Sequence, residues 1–168
     1  MARASFEQTM VFAASPEEIR AALGSLAAHD QLHPLIVSVR QIGERVRADG
    51  VALRRYRIVD RVPMGPLTLR VTYHAEVGLD ASGAVVSDAF QSPGVRLRVV
   101  SRVTPIAPDS SQTRVDETVV IEAPRLLLGY VRAQAYQSHR ALFANLKRWL
   151  ESGRESGRES GREPEAAS

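Results

Sequence analysis

The sequence contains no cysteine. This absence excludes a disulfide framework, a thiolate zinc site and a cysteine nucleophile, and it is compatible with the cytoplasm. Long apolar runs are missing as well, because no run of about 18 apolar residues could span a bilayer and no apolar segment of signal-peptide length follows Arg3. We therefore expect a cytoplasmic protein without a transmembrane segment.

Aromatic residues are scarce and the net charge is small. Aromatics make up 5% of the chain, and the formal charge is only +3 although the sequence pI is near 9.8. Eight arginines face three acidic residues between Arg40 and Arg70, but a nucleic-acid platform also needs exposed aromatics among its cations. We interpret these arginines as a solvated sheet face and predict no nucleic-acid partner. Peripheral contact with an anionic membrane stays open.

Motifs of the common catalytic classes are also absent. There is no G-x-S-x-G, no phosphate-binding glycine loop and no dinucleotide fingerprint. His29 and His33 have the H-x-x-x-H spacing of helical metal ligands, but no glutamate follows the first histidine and Pro34 indicates that the helix has ended. We predict no metal and no cofactor, and expect both histidines near the mouth of a cavity.

At 168 residues and 44% hydrophobic content, the chain suits a single domain. It begins with a predicted strand over residues 5–13. The following SPEEIRAAL predicts a helix, with Ser15 as cap, Pro16 at the first helical position and Glu18 completing a capping box. A second short helix is predicted over residues 25–31.

Residues 35–122 have the pattern of an antiparallel meander. Short β-branched runs are separated by turn signals, which predicts about six strands, or seven with the first. The predicted breaks lie near residues 42–45, 63–66, 78–83, 92–94 and 105–112.

The PMGP turn predicts the register of one hairpin. A turn centred on Met64 and Gly65 pairs Val62 with Leu67, Asp60 with Leu69, Ile58 with Val71 and Tyr56 with Tyr73, all on one face. The opposite face then holds Arg55, Arg57, Arg61, Arg70 and Thr72. A sheet with one apolar face requires a covering element, and the last helix is the candidate.

The stretch from Leu126 to Leu150 predicts one long amphipathic helix. Its apolar side, about 60° wide, places Ser138 and His139 at the centre of a stripe formed by Leu128, Val131, Ala135, Leu142, Leu146 and Trp149. Small residues at the middle of a buried stripe either border a cavity or allow helix and sheet to approach closely. Both interpretations stay open on spacing alone.

Three segments resemble the START-like superfamily, also called SRPBCC. They are VFAASPEEIRAAL, HPLIVSV and LLLGYVRAQAYQSHRALFANLKRWLE; His33 stands where the family often has tryptophan before the proline. The resemblance implies an α+β helix-grip fold, in which a curved antiparallel sheet of about seven strands wraps around a long C-terminal helix, with two short helices after strand 1. It spans nearly everything but the tail, so we expect a ligand-binding domain over residues 1–151.

The tail has a different composition. ESGRESGRESGRE repeats a four-residue unit without apolar residues, so it cannot bury a core and is predicted to be a disordered, low-complexity segment over residues 152–168.

Strand alternation places Glu117 on the face of Val115, Val119 and Ile121 unless a bulge reverses it. A lone inward carboxylate is costly to bury, so Glu117 is a candidate site residue. His139 is either such a site residue or a core histidine with satisfied hydrogen bonds. The catalytic candidates are Glu117, His139, Tyr56 and Tyr73.

The resemblance implies an apolar cavity between the sheet and the last helix. We expect a carrier or sensor of a small hydrophobic molecule such as a lipid or polyketide, and as the alternative a polyketide cyclase or aromatase-like enzyme with the same cavity. The expected ligand-binding residues are Tyr56, Ile58, Leu69, Val71, Tyr73, Glu117, Val131, Gln134, Ala135, Ser138, His139 and Leu142.

Overall fold

The computed structural model describes residues 1–108 and 111–160. One curved sheet and three helices follow each other in the order predicted. The elements are β1 (Ala2–Phe12), α1 (Pro16–Gly24), a 3-10 turn (Leu26–Ala28), α2 (His29–Leu32), β2 (Ile36–Val46), β3 (Ala52–Met64), β4 (Leu67–Leu79), β5 (Val85–Gln91), β6 (Val95–Pro105), β7 (Thr113–Ala123) and α3 (Arg125–Ser160). The predicted α+β class, the seven strands and the short helices after the first strand are confirmed.

The first helix begins where the capping pattern predicts. The Ser15 hydroxyl accepts from the Glu18 backbone N–H at 3.2 Å, and the Glu18 carboxylate accepts from the Ser15 N–H at 2.7 Å. This reciprocal capping box satisfies two backbone donors that the helix itself leaves unpaired.

All seven strands form one antiparallel sheet in the order β1-β7-β6-β5-β4-β3-β2. The first strand therefore pairs with the last, from Ala2 opposite Ala123 to Phe12 opposite Thr113. Helix α3 packs on the inner face and contacts β1 and β7. Among the described residues, no helix combines the length and the apolar character needed to cross a lipid bilayer.

The predicted register of the β3–β4 hairpin was wrong by two residues. Met64 pairs with Leu67, so that Val62 faces Leu69, Asp60 faces Val71, Ile58 faces Tyr73 and Tyr56 faces Ala75. The two turn residues are Gly65 and Pro66, because Gly65 takes the positive φ of 60° that a tight turn requires. Since side chains alternate with a period of two, this shift leaves every residue on its predicted face.

A predicted break at residues 42–45 was also wrong. Strand β2 continues to Val46, with an irregular register between Gln41 and Gly43. The chain reverses after Val46, where Gly50 has a φ of 85° and its N–H donates to the Arg47 carbonyl at 2.9 Å. The glycine in IGER thus marks a bulge within the strand, which is another position where glycine occurs in sheets.

The outer face of β3 and β4 is charged, as predicted. Arg55, Arg57, Arg61 and Arg70 are all exposed there. Further along the sheet, two buried carboxylates each take two arginine partners: Glu76 pairs with Arg45 and Arg55, and Asp88 with Arg96 and Arg98.

Two apolar clusters hold α3 against the sheet. The larger one, at the C-terminal half of the helix, includes Phe12, Ile19, Tyr56, Leu142, Phe143 and Leu146. The smaller one, at the N-terminal half, is formed by Phe6, Val119, Ile121 and Ala135, with Leu128 and Val131 packed against it.

The composition of the helix stripe needs one correction. Trp149 was expected to be buried but is 48% exposed, whereas Phe143 is fully buried and packs edge-to-face on Phe12 with ring centroids 5.7 Å apart. Because the sheet curves around the helix, it covers an arc wider than the predicted 60° on the side of Phe143.

Helix α3 continues through Ser160, nine residues into the segment predicted to be disordered. Glu151, Ser152 and Gly153 are exposed there, so this extension adds no buried apolar surface at its start. The repeat spaces Glu and Arg three residues apart in the sequence, as in Glu151 and Arg154, and this spacing favours helix locally even where no apolar residue is present. Residues 161–168 of the predicted tail lie outside the described residues.

Candidate functional site

A cavity of about 200 Å³ lies between the inner face of the sheet and α3. Its apolar wall consists of Leu23, Leu26, Leu35, Ile36, Ile58, Val62, Ala75, Val85, Ala89, Leu97, Val99, Val131, Ala135 and Leu142. The polar groups on its surface come from His29, His33, Asp60, Tyr73, Ser87, Gln91, Ser101, Glu117, Tyr130, Gln134, Ser138 and His139.

The middle of α3 borders this cavity. Ser138 is 5% exposed and Ala135 is 8% exposed, and both line it. Leu142, one turn further on, also touches it and belongs to the larger core cluster. Of the two interpretations of the small central residues, the structure therefore has the cavity and not a close approach of helix and sheet.

Nine of the twelve residues expected at the ligand site line the cavity. They are Ile58, Tyr73, Glu117, Val131, Gln134, Ala135, Ser138, His139 and Leu142.

The other three expected residues do not line the cavity. Tyr56 is 1% exposed but packs within the core cluster, where Ile19 and Val77 also lie. Leu69 is 43% exposed and Val71 is half-buried outside the cavity. The reason is that the end of the β3–β4 hairpin is exposed from Pro63 to Arg70, so its inward-facing positions are not covered by the helix.

Glu117 on β7 is the most densely bonded group of the site. Its carboxylate is 3% exposed and accepts from Gln8 Nε2 at 2.7 Å, from His139 Nδ1 at 2.8 Å and from Ser101 Oγ at 3.4 Å. No register shift interrupts β7 against either neighbour, so the predicted inward orientation is confirmed. A buried carboxylate is tolerated when donors surround it in this way.

The Glu117 contact determines the tautomer of His139. A carboxylate only accepts hydrogen bonds, so the 2.8 Å contact requires a proton on His139 Nδ1. In the neutral ring, Nε2 then carries a lone pair. A histidine oriented by a carboxylate, with its other nitrogen free to accept a proton, is the arrangement of a general base.

Asp60 on β3 forms a second polar pair with Tyr73 on β4. Asp60 is 7% exposed; burial raises the pKa of its carboxyl to about 6, and the hydrogen bond from Tyr73 opposes that rise. Burial likewise raises the pKa of the Tyr73 hydroxyl, with the Asp60 charge adding to the effect. At neutral pH Asp60 is therefore mostly ionised and Tyr73 is the donor.

His29 and His33 line the same cavity as His139. Burial, with a smaller contribution from the charge of His139, lowers the pKa of His29 to about 4 and that of His33 to about 3. The backbone N–H of Leu35 approaches His33 Nδ1 at 3.3 Å. Both rings are neutral at physiological pH, because burial disfavours the charged form of a histidine.

Asp60 was missing from the predicted site, although a signal for it existed. It shares the inward parity of Ile58 and Tyr56, so it is a carboxylate on the apolar face of a strand, as Glu117 is. Leu23 and Leu26, which close the cavity from the helical segment after β1, had no such signal because their position depends on how that segment folds over the sheet. Among the described residues, no group of three or more His, Cys, Asp or Glu side chains could hold a metal ion.

Comparison with solved structures identifies the same architecture in other proteins. A START superfamily protein from Mycobacterium smegmatis aligns with a TM-score of 0.66 at 18% identity, over 88% of this chain and 97% of that one. TTHA0849 from Thermus thermophilus gives 0.66 at 19% identity, over 89% and 99%. The Zhui aromatase/cyclase from Streptomyces sp. R1128 gives 0.63 at 16% identity, over 95% and 99%.

Sequence comparison adds no closer relative: no family model matches the chain, and no curated protein matches it. These three matches cover 88–95% of this chain and 97–99% of the matched chains, and the part they share includes the curved sheet and the long C-terminal helix of this chain. This chain therefore has the helix-grip fold of the START-like (SRPBCC) superfamily.

Proposed function

We propose that this protein binds a small hydrophobic molecule in the cavity between the sheet and α3, as a carrier or sensor. The observation that carries the proposal is the cavity itself, with its volume of about 200 Å³, its largely apolar wall and a few convergent polar groups. Ligand sites in proteins have this composition. An apolar cavity of about 150 Å³ already admits benzene, so a ligand of one or two rings fits here.

The binding domain in this proposal comprises residues 1–151, and residues 152–168 form a tail that does not take part. The last side chain of α3 in the core cluster is Leu150, and Glu151, Ser152 and Gly153 are exposed. The similarity to a START superfamily protein supports the proposal at the level of the fold.

Native mass spectrometry of the purified protein tests the proposal by searching for a co-purified apolar molecule. Ala135→Phe places a ring in the cavity, and Ala144→Phe places the same ring on the exposed side of the same helix. We expect the bound mass to disappear in the first variant and to persist in the second. The same bound mass in both variants, each folded by circular dichroism, would place the ligand elsewhere and contradict the proposal.

A second candidate is a cyclase-like enzyme, and the Glu117–His139 pair is the observation that favours it. His139 Nε2 would remove a proton from the carbon between two carbonyls of a polyketone held in the cavity. The carbanion would then attack another carbonyl of the same chain, and the resulting alkoxide would take up a proton before water is lost. The similarity to the Zhui aromatase/cyclase supports this alternative only through the fold.

Deuterium uptake tests the enzymatic candidate. The probe is 1-phenylbutane-1,3-dione, whose central carbon exchanges its protons when a base removes them. The enzyme would accelerate uptake above the buffer rate, and His139→Gln would abolish the acceleration while leaving probe binding intact. Equal exchange rates with the wild-type protein and the variant would contradict the role of His139 as the base.

A further inference from the structure

Two residues that line the cavity, His29 and Asp60, each have one buried side-chain atom without a hydrogen-bond partner within the described residues, Nε2 and Oδ1 respectively. Each residue is only 7% exposed. Buried polar atoms are almost always paired in native proteins, so an unpaired one calls for an explanation. Two of them, on residues that line one cavity, point to a ligand that carries polar groups.

His29 Nε2 is a hydrogen-bond acceptor. The ring makes a hydrogen bond to the backbone of Ala22, and because Nε2 is unpartnered the nitrogen that makes it is Nδ1. A backbone carbonyl only accepts, so Nδ1 carries the proton and Nε2 the lone pair. The ring is neutral because burial keeps the pKa of His29 near 4.

Asp60 Oδ1 is an acceptor too. The Tyr73 hydroxyl bonds the carboxylate, and since Oδ1 is unpartnered it must bond the other oxygen. At neutral pH the carboxyl is mostly ionised, and the ionised form has no donor of its own. Both open positions therefore require a donor from the ligand, and a ligand that only accepts hydrogen bonds leaves them unsatisfied.

We propose, on the basis of the proposed function, that the ligand is a hydroxyl-bearing hydrophobic molecule. One of its hydroxyls donates to Asp60 Oδ1 and a second donates to His29 Nε2. The two acceptors belong to different walls, because Asp60 lies on β3 opposite Val71 and His29 begins α2. Apolar side chains such as Leu26, Ile58 and Leu142 line the space around them. The ligand class is thus an apolar frame with hydroxyls at separate positions.

A pair of size-matched probes tests this assignment by calorimetry. 2,6-Dihydroxynaphthalene has two hydroxyl donors, and 2,6-dimethylnaphthalene has methyl groups of similar size and no donor. We expect the diol to bind wild-type protein more tightly by roughly ten- to a hundredfold, since each satisfied acceptor favours it. Equal affinities, or tighter binding of the dimethyl compound, would overturn the hydroxyl assignment and leave the proposed function standing. If neither compound binds, both the hydroxyl assignment and the proposed function are wrong.

Variants assign the preference to the two acceptors. Asp60→Leu and His29→Phe should each reduce the ratio of the two affinities, whereas Asp60→Asn, which keeps an acceptor oxygen, should retain part of it. Asp116→Asn on the outer face is the control and should leave the ratio unchanged. In the wild-type protein, the 15N resonance of His29 Nε2 should shift when the diol binds and not when the dimethyl compound binds. No shift with the diol would overturn the His29 contact even if a variant failed to fold.

Discussion

His139 on α3 donates from Nδ1 to Glu117 Oε1 on β7 across 2.8 Å, so that a buried hydrogen bond joins the helix to the sheet. The same carboxylate oxygen accepts from Gln8 on β1 at 2.7 Å. The first strand thus meets the last strand and the helix that follows it at one carboxylate. A glutamine in place of Glu117 would bring an NH₂ group, which is itself a donor, against these donors.

Glu117→Gln should therefore destabilise the fold by about 1–3 kcal/mol, the usual cost of leaving buried polar groups unpaired. Urea denaturation measures the loss. Glu7→Gln on the exposed side of β1 is the control and should change the free energy of unfolding by less than about 0.5 kcal/mol. Similar small effects of both substitutions would mean that the Glu117 hydrogen bonds do not stabilise the protein.

Ser138 and Leu142 lie one helical turn apart, and both line the cavity. Ser138→Leu should fill empty space, so that ligand binding falls while the free energy of unfolding stays level or rises. Leu142→Ala should cost about 2–5 kcal/mol, because it removes a side chain from the core cluster. Thermal and urea melts measure whether each substitution raises or lowers the free energy of unfolding. Destabilisation of about 1–3 kcal/mol by Ser138→Leu would indicate overpacking instead of a cavity.

Acid should destabilise this protein from about pH 6.5 downward. The usual histidine pKa of 6.5 falls to about 4 for His29 and about 3 for His33 on folding, so the unfolded chain takes up these protons first. Each proton lowers the free energy of unfolding by up to about 1.4 kcal/mol per pH unit in that window, and neither histidine contributes above it. Asp60 has the opposite effect on the free energy of unfolding between pH 3.8 and about 6. The two histidines together have a larger effect than this one carboxylate.

Urea melts at several pH values measure this slope. His29→Leu should flatten it, and His74→Leu on the exposed outer face should not. An unchanged slope in the His29 variant would show that this ring is not held neutral by burial.

Two glycines should respond to alanine with opposite signs. A Cβ on Gly78 in β4 would lie 2.2 Å from the backbone carbonyl oxygen of Ala52, which cannot move away without breaking the strand pair. A Cβ on Gly129 in α3 meets no atom within 4 Å. Gly129→Ala should stabilise the helix by about 0.8–1 kcal/mol, while Gly78→Ala should destabilise the protein by about 1–3 kcal/mol. Thermal melts of the two variants decide this, and equal melting temperatures would contradict the Gly78 contact.

Side-chain alternation made the faces of the strands predictable from the sequence. Glu117 points inward as expected because β7 has no bulge, and Ile58 and Tyr73 stayed on the inner face although their register was wrong by two residues. The register itself depends on which residue of the turn takes a positive φ, and Gly65 was available in either alignment.

Position along a strand was less predictable than orientation. Tyr56, Ile58 and Leu69 share one face, yet the first packs in the core, the second lines the cavity and the third is exposed. This difference depends on where α3 crosses the sheet and how far the hairpin extends past it. Those are properties of tertiary packing, and the pattern of a single strand does not contain them.

The pairing of β1 with β7 has a consequence for synthesis of the chain on the ribosome. The partners Gln8 and Glu117 are 109 residues apart, so β1 emerges early and has no strand to join until nearly the whole domain has been made. Until then β1 and the growing edge of the meander are open to pairing with other chains. Closing the sheet depends on contacts between distant residues, which form slowly, and the helix that covers the cavity is made after the last strand. A nascent chain of this fold can therefore pair wrongly with other chains for most of its synthesis. This period lasts until residue 123 has been made, because until then the first strand is outside the ribosome and the last strand is not.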